Sequence, residues 1–438
     1  MSSEAAWTDG LYPYQVEAFS AWIQAGRHGL LEMATGTGKT RTARACIQSV
    51  VDFSSSCVVV VVPSVHIGKQ WIEELGSLKA IEVNGSNPAW EKSFRRDLRQ
   101  VSFGKKACVV VVAVMNTAAT QRFVDLASQA ANQVENFLFV GDEVHWLGAA
   151  EFRKALLPFA NYRLGLSATP ERYFDDDGTD ALRAYFGEKP VYELTIREAL
   201  KKSKPNGQPL LTPYKYFPHF VSLTEEEIEQ YQRYARTMAM FSSPENLDPV
   251  RVRNARVGAA RIVKKASQKE SGLGALLDEL GGRLKYGLIY CEDKDQMSMA
   301  RNQLHKRNIY FGEITEAENS SKRQVVLANF SQGYIDVILA MRCLDEGVDI
   351  PEARIGIILA SSGNPREFIQ RRGRLMRTAP GKEFAEIYDF AVLATPEILE
   401  GTGLEAVKDR ELFRITEFSE DAMNAEAVAS AVSGLWVL

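Results

Sequence analysis

Met33-Ala34-Thr35-Gly36-Thr37-Gly38-Lys39-Thr40 is a glycine-rich loop ending in Gly-Lys-Thr. Apolar Leu30-Leu31 precedes it and helix-forming Arg41 to Ile47 follows. Backbone N–H groups of such a loop surround a triphosphate, and the helix N-terminus adds a partial positive charge. Read as a Walker A loop, Thr35, Gly36, Thr37 and Gly38 supply the backbone cradle. Lys39 reaches the β- and γ-phosphates, and the Thr40 hydroxyl sits on Mg²⁺. The plainer alternative is a flexible glycine turn ahead of a helix. A short strand, Gly29 to Glu32, running into the loop favours the phosphate site.

Outward from the loop, the chain alternates apolar runs with helical patterns. Cys57 to Val62, Ala107 to Val114, Phe137 to Val140 and Leu164 to Ser167 are strands of the kind buried on both faces of a parallel sheet. Helices are expected over 11–27, where Val16, Phe19 and Ile23 share a face, and over Lys69 to Leu78 and Glu151 to Phe159. This alternation predicts a doubly wound α/β domain. Near residue 190 the pattern breaks into loop chemistry, such as Lys201-Lys202-Ser203-Lys204-Pro205-Asn206-Gly207. A capping box, Thr224 with Glu227, opens a helix to about Phe241.

A second helix, Pro249 to Lys269, is basic through Arg251, Arg253, Arg256, Arg261, Lys264, Lys265 and Lys269. Contact with nucleic acid and a solvated face both fit that charge run. Strands then resume at Tyr286–Cys291, Ile309–Gly312, Asp336–Ala340, Ile355–Ala360 and Glu383–Tyr388. Helices lie between them at 296–306, 321–330 and 366–375. This second α/β domain has no phosphate loop of its own. The boundaries are 1–190, a helical and partly basic linker or insertion 191–272, 273–395, and a tail 396–438.

The bulk properties narrow the class. With 438 residues, 45% hydrophobic and 25% charged, the chain fits two or three ordinary domains. A net charge of -4 gives no global attraction to nucleic acid, so any such surface is a local patch. The 5 Cys form no Cys-x-x-Cys pair and no metal-spaced cluster, which suits a reducing compartment and a cytoplasmic place. The N-terminus carries no signal-peptide pattern and no apolar run reaches membrane-spanning length.

Three further stretches carry chemistry. Phe137 to Val140 runs through Gly141 into Asp142-Glu143-Val144-His145, placing two acids at the C-terminal end of a strand, where α/β sheets bind ligands. Asp142 is suited to hold Mg²⁺, and Glu143 to position the water that attacks the γ-phosphate. A surface turn is the alternative. Ser167-Ala168-Thr169-Pro170 ends the next strand with hydroxyls able to bond those acids. Gln370-Arg371-Arg372-Gly373-Arg374-Leu375-Met376-Arg377 puts four arginines on about two helical turns, Arg374 and Arg377 sharing a face. Arginine offers a planar fork to phosphate, although a basic surface helix has the same spacing.

In chain order these segments resemble the motifs of a superfamily 2 DExH helicase or translocase. Tyr12-Pro13-Tyr14-Gln15 resembles the adenine-reading Q-motif and Ala34 to Thr40 motif I. Val62-Pro63-Ser64 with Gln70-Trp71 resembles motif Ia, and Ala113 to Thr117 motif Ib. Asp142 to His145 resembles motif II, Ser167 to Thr169 motif III and Leu288 to Cys291 motif IV. Asp345-Glu346-Gly347-Val348-Asp349 resembles motif V and Gln370 to Arg377 motif VI. Gln70-Trp71 and the short Asp-Glu-Gly-Val-Asp-Ile-Pro form of motif V are similar to the branch holding XPB-like repair helicases, phage UvsW and the motor parts of type I and III restriction enzymes. Val144 stands where members often carry Ala, Cys or Ser, and being apolar it leaves the chemistry alone.

The resemblance implies two tandem RecA-like domains with a helical insertion or linker between them, using ATP and Mg²⁺. It implies that Gln15 reads the adenine with Tyr12 or Tyr14 stacking near it, and that Gly36, Gly38, Lys39 and Thr40 hold phosphates. Thr40 and Asp142 would hold the metal, and Glu143 would orient water. Gly347 and Asp349 would lie near the nucleotide. Gln370, Arg374 and Arg377 would meet the γ-phosphate, an arginine finger being worth roughly 10³–10⁵ in rate. Arg253, Arg256 and Lys264 are the candidates for gripping nucleic acid. The implied activity is an ATP-driven DNA helicase or translocase serving repair, recombination or defence, with DNA ahead of RNA as the track. An RNA-dependent ATPase of the same fold and the motor subunit of a larger restriction or antiviral complex are the alternatives. His28, His66, His219 and His305 read as surface or packing residues, and Trp71 and Trp90 as core.

Overall fold

Strands β1 (His28–Met33), β2 (Ser56–Val62), β4 (Cys108–Val114), β5 (Asn136–Asp142) and β6 (Tyr162–Ser167) form where the valine- and leucine-rich runs predict them. Short strands β3 (Ile81–Val83) and β7 (Tyr192–Leu194) complete the sheet. The order is β3-β4-β2-β5-β6-β1-β7 and every pairing is parallel. Side chains at successive positions of β2 are buried on both faces, which suits the unbroken β-branched run Val58 to Val62. The computed structural model describes residues 6–53, 55–172, 175–243, 246–315, 320–341, 350–360, 365–393 and 403–434. The chain divides into two compact units, Met1–Leu210 and Leu211–Leu438.

In the first unit, helices α1 (Pro13–Gln24), α2 (Lys39–Val51), α3 (Val65–Leu75), α4 (Trp90–Ser102), α5 (Gln121–Ala131) and α6 (Asp176–Phe186) cover the sheet. Pro13 at the first turn of α1 suits a helix start, because its missing N–H is not needed there. One expectation is corrected. Glu151 to Phe159 is not a helix but holds a single 3₁₀ turn, Arg153–Ala155. Pro158 lies inside that stretch, and Ala155 and Leu157 are fully buried, so the segment is fixed by core packing rather than by helical bonds.

The second unit has the order β10-β11-β9-β12-β13-β8, again all parallel. Its strands are β8 (Tyr214–Val221), β9 (Gly287–Cys291), β10 (Phe311–Ile314), β11 (Val337–Met341), β12 (Ile355–Ile358) and β13 (Ala385–Val392). Helices α7 (Glu225–Ser242) and α8 (Pro249–Lys264) pack as a hairpin between β8 and α9 (Gln268–Leu280). Here too an expectation changes: the helix over Pro249–Lys269 ends at Lys264, and Lys269 belongs to α9. The break lets Lys269 turn inward, where its Nζ donates to Leu359 O at 2.6 Å and Lys264 O at 3.2 Å. Helices α10 (Lys294–His305), α11 (Ser320–Ser331), α12 (Pro365–Leu375), α13 (Glu405–Ser419) and α14 (Ala425–Gly434) complete the unit. Strand β8, inside the stretch 191–272 read as a helical linker or insertion, pairs with β13 from Tyr214↔Ala385 to Val221↔Val392.

Candidate functional site

Because all seven strands of the first sheet run the same way, every loop after a strand opens on one edge. The glycine-rich loop leaves β1 there, and Asp142 ends β5 two strands away, roughly 10 Å across the sheet. Gly36 and Gly38 have φ of 86° and 81°, the left-handed region that suits residues without Cβ. A Cβ on Gly38 would lie 2.5 Å from Gln15 Nε2. The loop is pinned from within and from α1. Thr37 Oγ1 donates to Ala34 O at 2.7 Å, Tyr14 Oη donates to Thr37 O at 2.7 Å, and Lys39 Nζ donates to Met33 O at 3.1 Å. Thr35 Oγ1 is buried with no hydrogen-bond partner among the described residues, and Thr40 is half-buried at the start of α2.

Gln15 is buried and both ends of its amide are engaged by backbone. Oε1 accepts from Tyr12 N–H at 2.9 Å, and Nε2 donates to Thr37 O at 3.1 Å and Gly38 O at 3.3 Å. The residue expected to read a base is in direct contact with the phosphate loop. Tyr12 lies under the Arg41 guanidinium, 5.4 Å from its ring centre.

Asp142 is buried, and burial followed by the neighbouring Glu143 pushes its carboxyl up to about 6. Its oxygens are held by two donors: Trp71 Nε1 at 2.7 Å to Oδ2, and Glu143 N–H at 3.0 Å to Oδ1. Trp71, read from sequence as core, is indeed buried, yet its indole N–H orients this carboxylate. Sequence carries the residue in Gln70-Trp71 but not the contact, which spans 71 positions. Glu143 takes a left-handed backbone, φ 46°, costing roughly 1–2 kcal/mol for a residue with Cβ. Its Oε2 is buried without a hydrogen bond among the described residues, 3.5 Å from His145 Nδ1. Ser167 does not bond these acids. Its Oγ accepts from Thr169 N–H at 3.1 Å, because Leu166, not Ser167, lies beside Asp142 in the sheet.

A glycine cradle with left-handed turns, a lysine, a half-buried threonine hydroxyl and a buried carboxylate form a donor set that fits a nucleoside triphosphate with a magnesium ion.

In the second unit, Gln370, Arg371, Arg372 and Arg374 of α12 are buried, so this is not a basic surface helix. Arg371 donates to Ala360 O at 2.7 Å, and Arg372 donates to Glu417 O at 2.9 Å and lies 3.2 Å from Glu417 Oε1. Arg377 is half-buried just past the helix. Gly347 and Asp349 lie outside the described residues. On α8, Arg253 and Arg256 are exposed, whereas Lys264 is paired with Glu292 at 3.0 Å and Lys265 with Asp293 at 2.9 Å. Lys264, Glu292 and Asp293 line a cleft of about 660 Å³ between α8 and the ends of β9 and β11. No helix among the described residues is long and apolar enough to cross a membrane.

Comparison with known proteins gives the following similarities. Residues 9–172 match the family model described as type III restriction enzyme, res subunit, and residues 272–379 match the helicase conserved C-terminal domain. The chain is 27% identical over 389 residues to a DNA 3'-5' translocase XPB2 of Sulfurisphaera tokodaii, covering 84% of this chain and 78% of that protein. It is 26% identical over 377 residues to a putative DNA 3'-5' helicase Rad25 of Halobacterium salinarum, covering 85% of this chain and 53% of the relative. The chain thus spans about half the length of that second relative. Among solved structures, an ATP-dependent type ISP restriction-modification enzyme, LlaBIII, bound to DNA, has the same fold. Its TM-score is 0.59 at 18% identity, over 88% of this chain and 28% of that one.

Proposed function

Because the chain belongs to the superfamily 2 helicases, in the branch that includes XPB-like helicases and restriction-enzyme motors, we propose that it is an ATP-driven motor that moves on DNA. The observation that carries this reading is the meeting, at one edge of the first sheet, of the Thr35–Thr40 loop with Asp142 and Glu143. In this reading the loop N–H groups and Lys39 bind the β- and γ-phosphates of ATP. Thr40 and Asp142 would hold Mg²⁺, which when bound neutralises charge on those phosphates. Trp71 keeps the Asp142 carboxylate turned to the site. Glu143, whose buried Oε2 has no hydrogen bond among the described residues, orients water and accepts its proton. Arg374 and Arg377 stabilise the charge of the transferring phosphoryl group, with Gln370 beside them. Gln15, bonded to the loop, makes the adenine end of the site sensitive to phosphate occupancy; Tyr12 and Tyr14 flank it.

DNA as track is supported by the similarity to a DNA translocase and a putative DNA helicase, and exposed Arg253 and Arg256 are the proposed grips on its phosphates. Partner subunits of a repair or defence assembly and a cytoplasmic place belong to the same proposal. The test is the ATPase rate of the purified protein with duplex, single-stranded, forked and branched DNA and with RNA, alongside Lys39→Ala and Glu143→Gln. DNA should stimulate the rate. Lys39→Ala should abolish hydrolysis, and Glu143→Gln should retain ATP binding while turnover falls roughly 10²–10⁴-fold. Stimulation by RNA alone would replace the DNA reading, and near-normal turnover of Glu143→Gln would remove its water-orienting role.

A further inference from the structure

The end of α12 poses a local problem. Past Leu375 the chain makes two more helix-like bonds, Met376 N–H to Arg372 O at 3.1 Å and Arg377 N–H to Arg374 O at 3.3 Å. The carbonyls of Met376 and Arg377 then need donors from outside the helix. Thr212, wholly buried ahead of β8, supplies two. Its N–H donates to Met376 O at 2.7 Å, and its Oγ1 donates to Arg377 O at 3.1 Å. Lys382, ahead of β13, supplies a third, its Nζ donating to the same Arg377 O at 2.8 Å and to Pro351 O at 3.1 Å.

Lys382 is an unusual choice for a carbonyl donor. It is 9% exposed, and among the described residues its hydrogen-bond partners are carbonyls, with no carboxylate. Burial, then the nearby Arg354, pushes its pKa down to about 7. Holding an ammonium there is unfavourable. The compensation is local: a cation at a helix C-terminus meets the negative end of the helix dipole. Thr212 and Lys382 reach this one peptide because β8 and β13 are neighbours, joined at their start by Ala385 N–H to Pro213 O at 2.9 Å.

We propose that Lys382 and Thr212 are positioning residues for Arg377. They fix the peptide that carries its guanidinium, and Lys382 ties that peptide to Pro351, where the chain returns from the Asp345–Asp349 motif. Arg377 thus works from an anchored base. The inference rests on the reading of Arg377 as a group that meets the γ-phosphate.

The experiment is a double-mutant cycle on DNA-stimulated ATP hydrolysis. Lys382→Met keeps the apolar stem and removes the ammonium. It should lower kcat about ten- to a hundred-fold, the range expected when a reacting group is slightly misplaced, with KM for ATP changed less than about twofold. Added to Arg377→Ala it should cost nothing more, since it acts through that side chain. Thr212→Val should behave in the same way, and Thr212→Ser, which keeps the hydroxyl, should restore turnover. If Lys382→Met does not fold, the Thr212 pair carries the cycle. Losses that multiply with that of Arg377→Ala, or equal activity of Thr212→Val and Thr212→Ser, overturn the assignment. Absence of hydrolysis by the unmodified protein with every nucleic acid overturns instead the reading of the site on which it rests.

Discussion

Glu32 stands one residue before the end of β1, beside Glu193 of β7 in the sheet register, and lines a cavity of about 220 Å³ with Thr169 and Glu171. Burial first, then Glu193 and Glu171, pushes its carboxyl up to about 7. In the unfolded chain the same group titrates near 4.3. Between those values the fold holds a proton that the unfolded chain has released, and above them it carries a poorly solvated charge. Stability from this group is therefore greatest below the unfolded value and is lost as pH rises through 7. Glu32→Gln should raise the melting temperature at pH 8 and leave it nearly unchanged at pH 4.5. Equal shifts at both pH values would contradict the account. Elsewhere at this scale, Lys39, Asp142 and Glu143 were legible because their motifs are local in sequence. The Trp71–Asp142 and Gln15–loop contacts were not, since a hydrogen bond between β5 and α3, or between α1 and the loop, exists only once the fold brings them together.

Helices α7 and α8 show what charge patterning can and cannot say. Of the basic residues read along Pro249–Lys269, Arg253 and Arg256 face solvent, while Lys264 and Lys265 are bonded to acids that follow β9 and Lys269 is buried. Replacing Arg253 and Arg256 by Ala should therefore lower the slope of log affinity for duplex DNA against log salt by roughly two, and Lys264→Ala should leave that slope unchanged. A salt titration of DNA binding decides; an unaltered slope for the arginine pair returns this face to plain solvation. The same lesson holds for strands. Val58 to Val62 and Val109 to Val112 could hardly be misread, since β-branched residues without interruption suit a strand covered on both sides. Tyr214–Val221 was missed because Pro218 sits within it. Proline is compatible with a strand only at a sheet edge, and β8 is an edge strand with its one neighbour β13.

At the scale of the whole molecule, each unit has its own buried core, the first around Val59, Val111 and Phe139 and the second around Leu276, Ile289 and Ile357. The second also contains a buried ionic cluster. Arg414 of α13 lies 2.8 Å from Asp389 of β13 and 2.7 Å from Glu411, and Tyr216 of β8 donates to Asp389 at 2.9 Å. Arg414→Met would leave two buried carboxylates without their cation, a loss of about 3–5 kcal/mol. Hydrogen exchange should show this in β9 and β13 while β2 keeps its protection; equal loss in β2 would mean that the units do not melt separately. The pairing of β8 with β13 has one more consequence, for a chain emerging from the ribosome. The first sheet has all its strands between His28 and Leu194, so it can close as soon as that stretch is free. In the second sheet the earliest strand must wait for the latest: Tyr214 meets Ala385. At about 5–20 residues per second this wait is roughly ten to thirty seconds, during which Tyr214 and Tyr216 have no partner strand to cover them. Nascent chains stalled before and after Val392 should therefore differ sharply in how readily a protease cuts the second unit. This interval is when a chaperone would be needed.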